Sequence, residues 1–251
     1  MDVVLVSPRN PLNIGAAARA MANFGFQRLS IVAPFAVNWM EAKSAVGAPD
    51  LLRDAKVYDT LAEAVSHCTL VIGTGSLDRR KPEQAILNLP EAGQLIRHAL
   101  SAETSASRIA LLFGSEKHGL TTEDLSWCHA LIVIETAEAQ PSMNLGQAVA
   151  VCLYEISRTA SEARIPDEPD SFVQKIKSAE HPDSGQLNRL AGLIEETMEA
   201  VNYTTRGMRS ANGDALRVLL HRLMPNEADL RRMMGLFRRI LWQLRRQRSQ
   251  N

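Results

Sequence analysis

Cysteine, metal-ligand spacings, long apolar runs and net charge are all scarce in this chain, and each scarcity closes a route. Cys68, Cys128 and Cys152 are scattered over 251 residues with no C-x-x-C pair. Neither a disulfide framework nor a zinc site is indicated, and each thiol reads as a small buried hydrophobe. The six histidines show no ligand spacing to one another, so no metal is expected, and no Ser, His and acid group announces a hydrolase. Apolar runs fall far short of the roughly 20 residues that cross a bilayer, and no signal peptide precedes the strand-like "VVLV". A cytoplasmic protein without membrane contact is the expectation. No G-x-x-x-x-G-K-[ST] occurs, and the best dinucleotide candidate, "GTGSLD", lacks its third glycine and runs into "RRKPEQ" instead of a helix. A dinucleotide-binding oxidoreductase therefore ranks last.

Zero net charge conceals a gradient. From position 203 onward 11 Lys+Arg stand against 3 Asp+Glu, an excess of +8, and positions 1 to 202 carry −8. One end of the protein is suited to a negative partner, or else presents a solvated helical face. Along the first 160 residues short apolar runs alternate with helical patterns: "VVLV", "LSIV", "LVIG", "IALLF" and "ALIVI". Unbroken runs of this length suit strands buried on both faces, and helices between them imply an α/β fold with a mainly parallel sheet. The reading is a domain over 1–164, a proline-containing polar linker over 165–186, and a helical extension over 187–251 with amphipathic segments from Leu187, Asn212 and Glu227. At 45% hydrophobic the chain can bury a sizeable core.

Three stretches remain that composition does not explain. "NPLNIGAAARAM" predicts a helix from Ile14 capped by Asn13, carrying small residues and one guanidinium, Arg19. Small residues permit tight packing with Arg19 as a solvated charge, or they leave a low surface where something bulky comes close. "LLFGSEKHGL" leaves a strand through Gly114, holds Glu116 and returns through Gly119 to a helix capped by Thr121 or Thr122; glycines so placed let backbone approach a ligand. "IETAEAQPSMNLGQAVAV" leaves the next strand, turns at Pro141 and caps a long helix with Ser142 and Asn144. Loops leaving adjacent strand ends of a parallel sheet are where α/β proteins hold ligands.

In this order and spacing the trio resembles the three motifs of the SpoU/TrmH class of SPOUT RNA 2′-O-methyltransferases, over roughly residues 1 to 160. The helical pattern "LNRLAGLIEETMEAV" followed by "ALRVLLHRLMPNEADLRRMMGLFRRIL" further resembles the extension of the TrmJ family, which methylates the ribose of tRNA nucleotide 32. The resemblance implies a deep trefoil knot near the C-terminal end of the α/β domain, S-adenosylmethionine bound in it, a homodimer, and tRNA as substrate. It places cofactor contacts at Thr74, Gly75 and Ser76, at Gly114, Ser115 and Gly119, and at Ile134, Pro141, Ser142, Met143 and Leu145. The first loop departs from the family's Thr-Ser/Thr-Ala pattern. The resemblance puts Arg19 against the target ribose with Asn13, Ser142 and Asn144 near it, and counts Glu116 among the catalytic set. Because a guanidinium stays protonated at neutral pH it makes a poor base, and Arg19 is read as a phosphate clamp and alkoxide stabiliser. Methylation of ribosomal RNA and a knotted RNA-binding module without activity are the alternatives.

Overall fold

The structure, a computed structural model, describes residues 1–35, 49–75, 82–101, 108–158, 181–203 and 209–248. Most of the expected linker, and Ser76 of the first cofactor loop, lie outside these residues. The five apolar runs form strands: β1 (Asp2–Val6), β2 (Leu29–Val32), β4 (Leu70–Thr74), β6 (Ile109–Phe113) and β7 (Ala130–Val133). Two further strands, β3 (Lys56–Tyr58) and β5 (Ala85–Asn88), escaped the sequence reading. They are the two edges of the sheet, whose order is β3-β2-β1-β6-β4-β7-β5, and every neighbouring pair is parallel. Edge strands are short and half-exposed, so they lack the continuous apolar run that betrays a central parallel strand.

Helices cover both faces. On one side α1 (Pro11–Asn23), α4 (Leu89–Ser101) and α6 (Leu145–Ser157) bury Ile14, Met21, Ile96, Val149 and Leu153 against Leu5, Ile72, Leu111 and Phe113. On the other, α3 (Leu61–Val65) and α5 (Thr122–Ser126) pack Val65 and Leu125 onto Val4, Val71 and Leu112. The short α2 (Pro49–Arg53) precedes β3. Cys68, Cys128 and Cys152 are all buried and unpaired in these layers, as expected.

The start of α1 differs from expectation. Asn10, not Asn13, is its N-cap, with Oδ1 accepting from the Leu12 amide at 2.9 Å. Pro11 then occupies the first helical position, where a missing N–H costs nothing. Asn13 is thereby freed for other partners. Likewise Asn144 alone caps α6, and Thr121 caps α5 in a reciprocal capping box with Asp124.

The extension consists of α7 (Ser184–Ala200), α8 (Arg209–Leu223) and α9 (Glu227–Arg248) around Leu187, Leu190, Leu220 and Leu230. Helix α7 starts three residues ahead of the expected Leu187 because Asp183 caps it and Gln186 completes the box. The extension is joined to the sheet domain. The Ser184 and Gly185 amides donate to the Cys68 and Ser66 carbonyls at 2.9 and 2.8 Å, and Arg217 Nε donates to Ser126 Oγ at 3.0 Å while its guanidinium lies over Trp127. His221 of α8 stacks edge-on against His129 at 4.5 Å. Among the described residues no helix is long and apolar enough to cross a membrane.

Candidate active site

Parallel pairing puts the C-terminal ends of β1, β6, β4 and β7 along one edge of the sheet, in that order. The chain runs outward from β1 to β3 on one side and places β4, β7 and β5 on the other, with β6 filling the switch between the two directions. That switch point is where an open α/β sheet leaves a crevice. The loops carrying the three sequence motifs all leave from it.

Glu116 is the meeting point. Its Oε2 accepts from the Arg9 amide at 2.9 Å, and its Oε1 accepts from the Asn10 amide and from Asn13 Nδ2, each at 2.9 Å. Asn13 Oδ1 in turn accepts from Asn144 Nδ2 at 2.9 Å, and Asn144 Oδ1 accepts from the Gly146 amide at 2.9 Å and the Gln147 amide at 3.4 Å. A single hydrogen-bonded chain therefore links the loop after β6, the first turn of α1 and the N-terminus of α6. Partial burial pushes the Glu116 carboxyl up, but the Asn13 side chain and the backbone donors of Asn10, Glu116 itself and Arg9 outweigh it and hold the group below its ordinary 4.5. It is an anion that organises three segments.

Glycine geometry explains the loop after β6. A Cβ on Gly114 would stand 2.0 Å from the Gly119 carbonyl carbon and 2.1 Å from the Leu120 nitrogen. What approaches Gly114 so closely is the chain's own return, held by the Gly119 amide donating to the Ser115 carbonyl at 2.8 Å. The space a side chain at Gly114 would need is therefore taken by the protein's own chain. Gly119, at φ +65°, has nothing within 4 Å of its Cβ position, so here the backbone itself is open to a ligand. Ser115 Oγ accepts from the His118 amide at 3.3 Å.

The other expected cofactor residues flank this loop. Thr74 is buried, its hydroxyl donating to the Leu112 carbonyl at 2.8 Å, and so ties β4 to β6. Gly75 is exposed, with its amide donating to the Ile132 carbonyl at 3.2 Å. Ile134 and Met143 are half-buried, Leu145 is buried, and Pro141 and Ser142 are exposed. Arg19 is exposed on α1 and, among the described residues, has no hydrogen-bond or ion-pair partner; neither it nor Ser142 joins the Glu116 chain.

The small residues of α1 find their reason in α6. A Cβ on Gly146 would meet Ala16 Cβ at 2.6 Å, so the two helices touch at their backbones beside the Asn13–Asn144 bond. Ala17, Ala18 and Ala20 are buried in the same packing. Of the two sequence readings of this stretch, close helix packing accounts for the alanines. Sequence reasoning missed Arg9 and Asn10, whose contribution is through backbone N–H groups and leaves no side-chain signature.

Among the described residues, one group outside this edge could hold a metal by ligand type: Asp2, His67 and Cys68, with ligand atoms within 4.8 Å of one another. Its charge is already matched, since Arg28 Nε pairs with Asp2 Oδ1 at 2.8 Å, and burial pushes the Cys68 thiol up to about 12, far from the thiolate a metal needs.

The family model described as "SpoU rRNA Methylase family" matches residues 1–154. The chain belongs to the SpoU methylase family. Among relatives in it, the tRNA (cytidine/uridine-2'-O-)-methyltransferase TrmJ of Escherichia coli K12 is 31% identical over 235 residues, 93% of this chain and 92% of that protein. The crystal structure of TrmJ from Z. mobilis ZM4 superposes with a TM-score of 0.79 at 28% identity, covering 95% of this chain and 98% of that one. A probable methyltransferase from Bordetella pertussis Tohama I, 32% identical, gives 0.56 over 62% of this chain and 93% of its own. The likeness to the two TrmJ proteins takes in the helical extension as well as the SpoU domain.

Proposed function

We propose that the protein transfers the methyl group of S-adenosylmethionine to a ribose 2′-hydroxyl of tRNA, at nucleotide 32 of the anticodon loop, as a homodimer built around a deep trefoil knot. The observation that carries this reading is the Glu116–Asn13–Asn144 chain, which gathers all three SpoU motif segments at the switch point of the sheet. Near full-length likeness to TrmJ supports tRNA as the substrate. The knot is favoured by the strand order, in which β6 and β7 are inserted between earlier strands before the chain returns to α6 on the α1 and α4 face. Leu12 and Tyr154, exposed on the adjoining α1 and α6, favour burial against a second copy.

The residues fit the cofactor. Exposed backbone at Gly75 and Gly119 offers hydrogen-bonding groups to an adenosine, and Ile134, Met143 and Leu145 offer an apolar wall. S-adenosylmethionine, when bound, would supply an electrophilic methyl: the ribose oxygen would give its electron pair to the methyl carbon, the carbon–sulfur pair would stay on sulfur as a neutral thioether, and the hydroxyl proton would pass to solvent. The chain's own part is to hold that oxygen and its phosphate. Asn13 Nδ2 and Asn144 Nδ2 each spend one N–H within the network and keep a second for an incoming oxygen. Ser142, exposed at the mouth, orients the hydroxyl. Arg19 clamps the adjoining phosphate and stabilises developing negative charge on the oxygen, from the same protomer or its mate.

The test is to incubate the purified protein with labelled S-adenosylmethionine and total RNA and to map 2′-O-methyl positions. Label at tRNA nucleotide 32, lost in Arg19→Ala with cofactor affinity retained, is the expected result. Label confined to ribosomal RNA would replace the substrate, and tRNA binding without cofactor binding would leave only an RNA-binding module.

A further inference from the structure

Beside the Glu116 network stands a pair of side chains that takes no part in it. β1 and β2 are parallel neighbours, so their C-terminal ends open on the edge that carries Gly114 and Asn144. Each leaves the sheet through a left-handed residue, Ser7 at φ 48° and Ala33 at φ 43°. The two exits are tied together: the Ser7 amide donates to the Val32 carbonyl at 2.8 Å, and the Phe35 amide donates to the Pro8 carbonyl at 3.1 Å. This arrangement holds Phe35 outward, 72% exposed, with the Arg9 guanidinium carbon 4.5 Å from its ring centroid. Among the described residues no other ring or cation stacks on Phe35, and Arg9 forms no ion pair. The pair is anchored to the site, because the Arg9 amide is one of the donors to Glu116.

We propose that Phe35 and Arg9 form a docking platform for the RNA substrate, the open face of Phe35 stacking a base near the methylated nucleotide while Arg9 backs the ring and takes an adjacent phosphate. The inference rests on the RNA methyltransferase reading above. Three observations select RNA as the occupant: a flat apolar face, an unpaired guanidinium against it, and continuity with the edge where the ribose must come. Loop bases of RNA are unstacked and can splay onto an aromatic ring, and every base has a π face, so the contact positions the strand without reading its sequence. The planar guanidinium both stacks on the ring and forks onto phosphate oxygens, two tasks a lysine performs poorly. The platform would set the register of the loop against Asn13 and Asn144.

The experiment uses the full chain, S-adenosylmethionine and a synthetic anticodon stem-loop. In Phe35→Ala, KM for the RNA should rise about 5- to 100-fold, the size of one base-stacking interaction, with kcat changed less. Phe35→Tyr should restore most of that loss and Phe35→Leu should not, since leucine keeps bulk but has no π face. Abasic substitution of each loop position in turn should reveal one base whose removal weakens binding to the wild type and has no further effect on Phe35→Ala. Unchanged KM in Phe35→Ala, with the wild type methylating RNA normally, overturns the platform alone. A parallel fall in cofactor affinity assigns the ring to the adenosine and also overturns it. A wild type that methylates no RNA overturns the underlying reading and the platform with it.

Discussion

Single residues in this site do more by excluding alternatives than by adding interactions. Gly114 is required because its own loop returns against it, and Gly119 because the return needs a positive φ. The two therefore separate on substitution. Gly114→Ala must open the loop and should abolish S-adenosylmethionine binding, whereas Gly119→Ala meets open space and bears only a conformational cost of about 1–2 kcal/mol. Calorimetry should find measurable, weakened affinity in the second variant and none in the first; equal affinities would remove the loop from the cofactor site. Glu116 belongs to the same scale. Its carboxyl is held below 4.5 by its donors, so its contribution is complete above that pH and is lost as pH falls through the lowered value. Protection of the Arg9 and Asn10 amides, measured by NMR as their exchange relative to that of the unfolded chain at the same pH, should fall on acidification in the wild type. In Glu116→Gln at least one of the two amides should lose its protection at every pH, because an amide nitrogen replaces one acceptor oxygen.

Elements meet here through close approach and through buried polar groups. Helices α1 and α6 touch at Ala16 and Gly146, which fixes Asn13 and Asn144 within hydrogen-bond distance. Helix α8 meets the sheet domain through a buried histidine pair. His221 Nδ1 lies 2.8 Å from the Arg217 carbonyl, to which it donates, leaving Nε2 buried with no hydrogen-bond partner, while His129 Nδ1 accepts from the Val71 amide at 3.0 Å. Burial lowers both groups, His221 to about 4 even though its hydrogen bond to the Arg217 carbonyl opposes the shift, and His129 with further lowering from His221 and His181. The unfolded chain takes up these protons first, near pH 6.5. Docking stability is therefore complete above pH 6.5 and falls steadily toward pH 4. Urea midpoints at about pH 8 and pH 5, on either side of that onset, should differ less in His221→Phe than in the wild type. An undiminished difference would show that the histidine carries none of the pH dependence.

At the scale of the molecule, charge and sheet order act together. Arg231, Arg232, Arg238, Arg239, Arg245 and Arg246 are all exposed, with Arg239 and Arg246 stacked on Trp242 and Arg245 paired with Glu196 at 3.0 Å. The apolar positions of the extension are less uniform than the pattern implied. Leu220 and Leu241 are buried, but Leu219, Leu223, Leu236 and Ile240 are exposed, because three helices around a small core leave one side of each helix uncovered. Charge reversal at Arg238 and Arg239 should weaken tRNA binding and make its logarithmic salt dependence shallower by about 0.7–0.9 for each phosphate that is no longer neutralised. Sedimentation of the same variant should match that of the wild type, because the substituted side chains are exposed. Unaltered affinity and slope would leave these two arginines as solvated charges.

Sequence alone determined the parallel α/β class, the five central strands, the three motif loops and the basic extension. Each is written in local chemistry: an unbroken apolar run, a cap, a turn residue, or an excess of one sign of charge. The edge strands β3 and β5 were invisible because half-exposed strands have no such run. Only the tertiary structure decided that Asn10 caps α1 and that Asn13 turns to Glu116 and Asn144. Caps at positions 10 and 13 look alike in sequence, and the choice is made by a carboxylate 103 residues away along the chain. The alanines of "NIGAAARAM" were legible as an absence of bulk, but what comes close to them, Gly146 and the start of α6, is set by strand order, which no local pattern encodes.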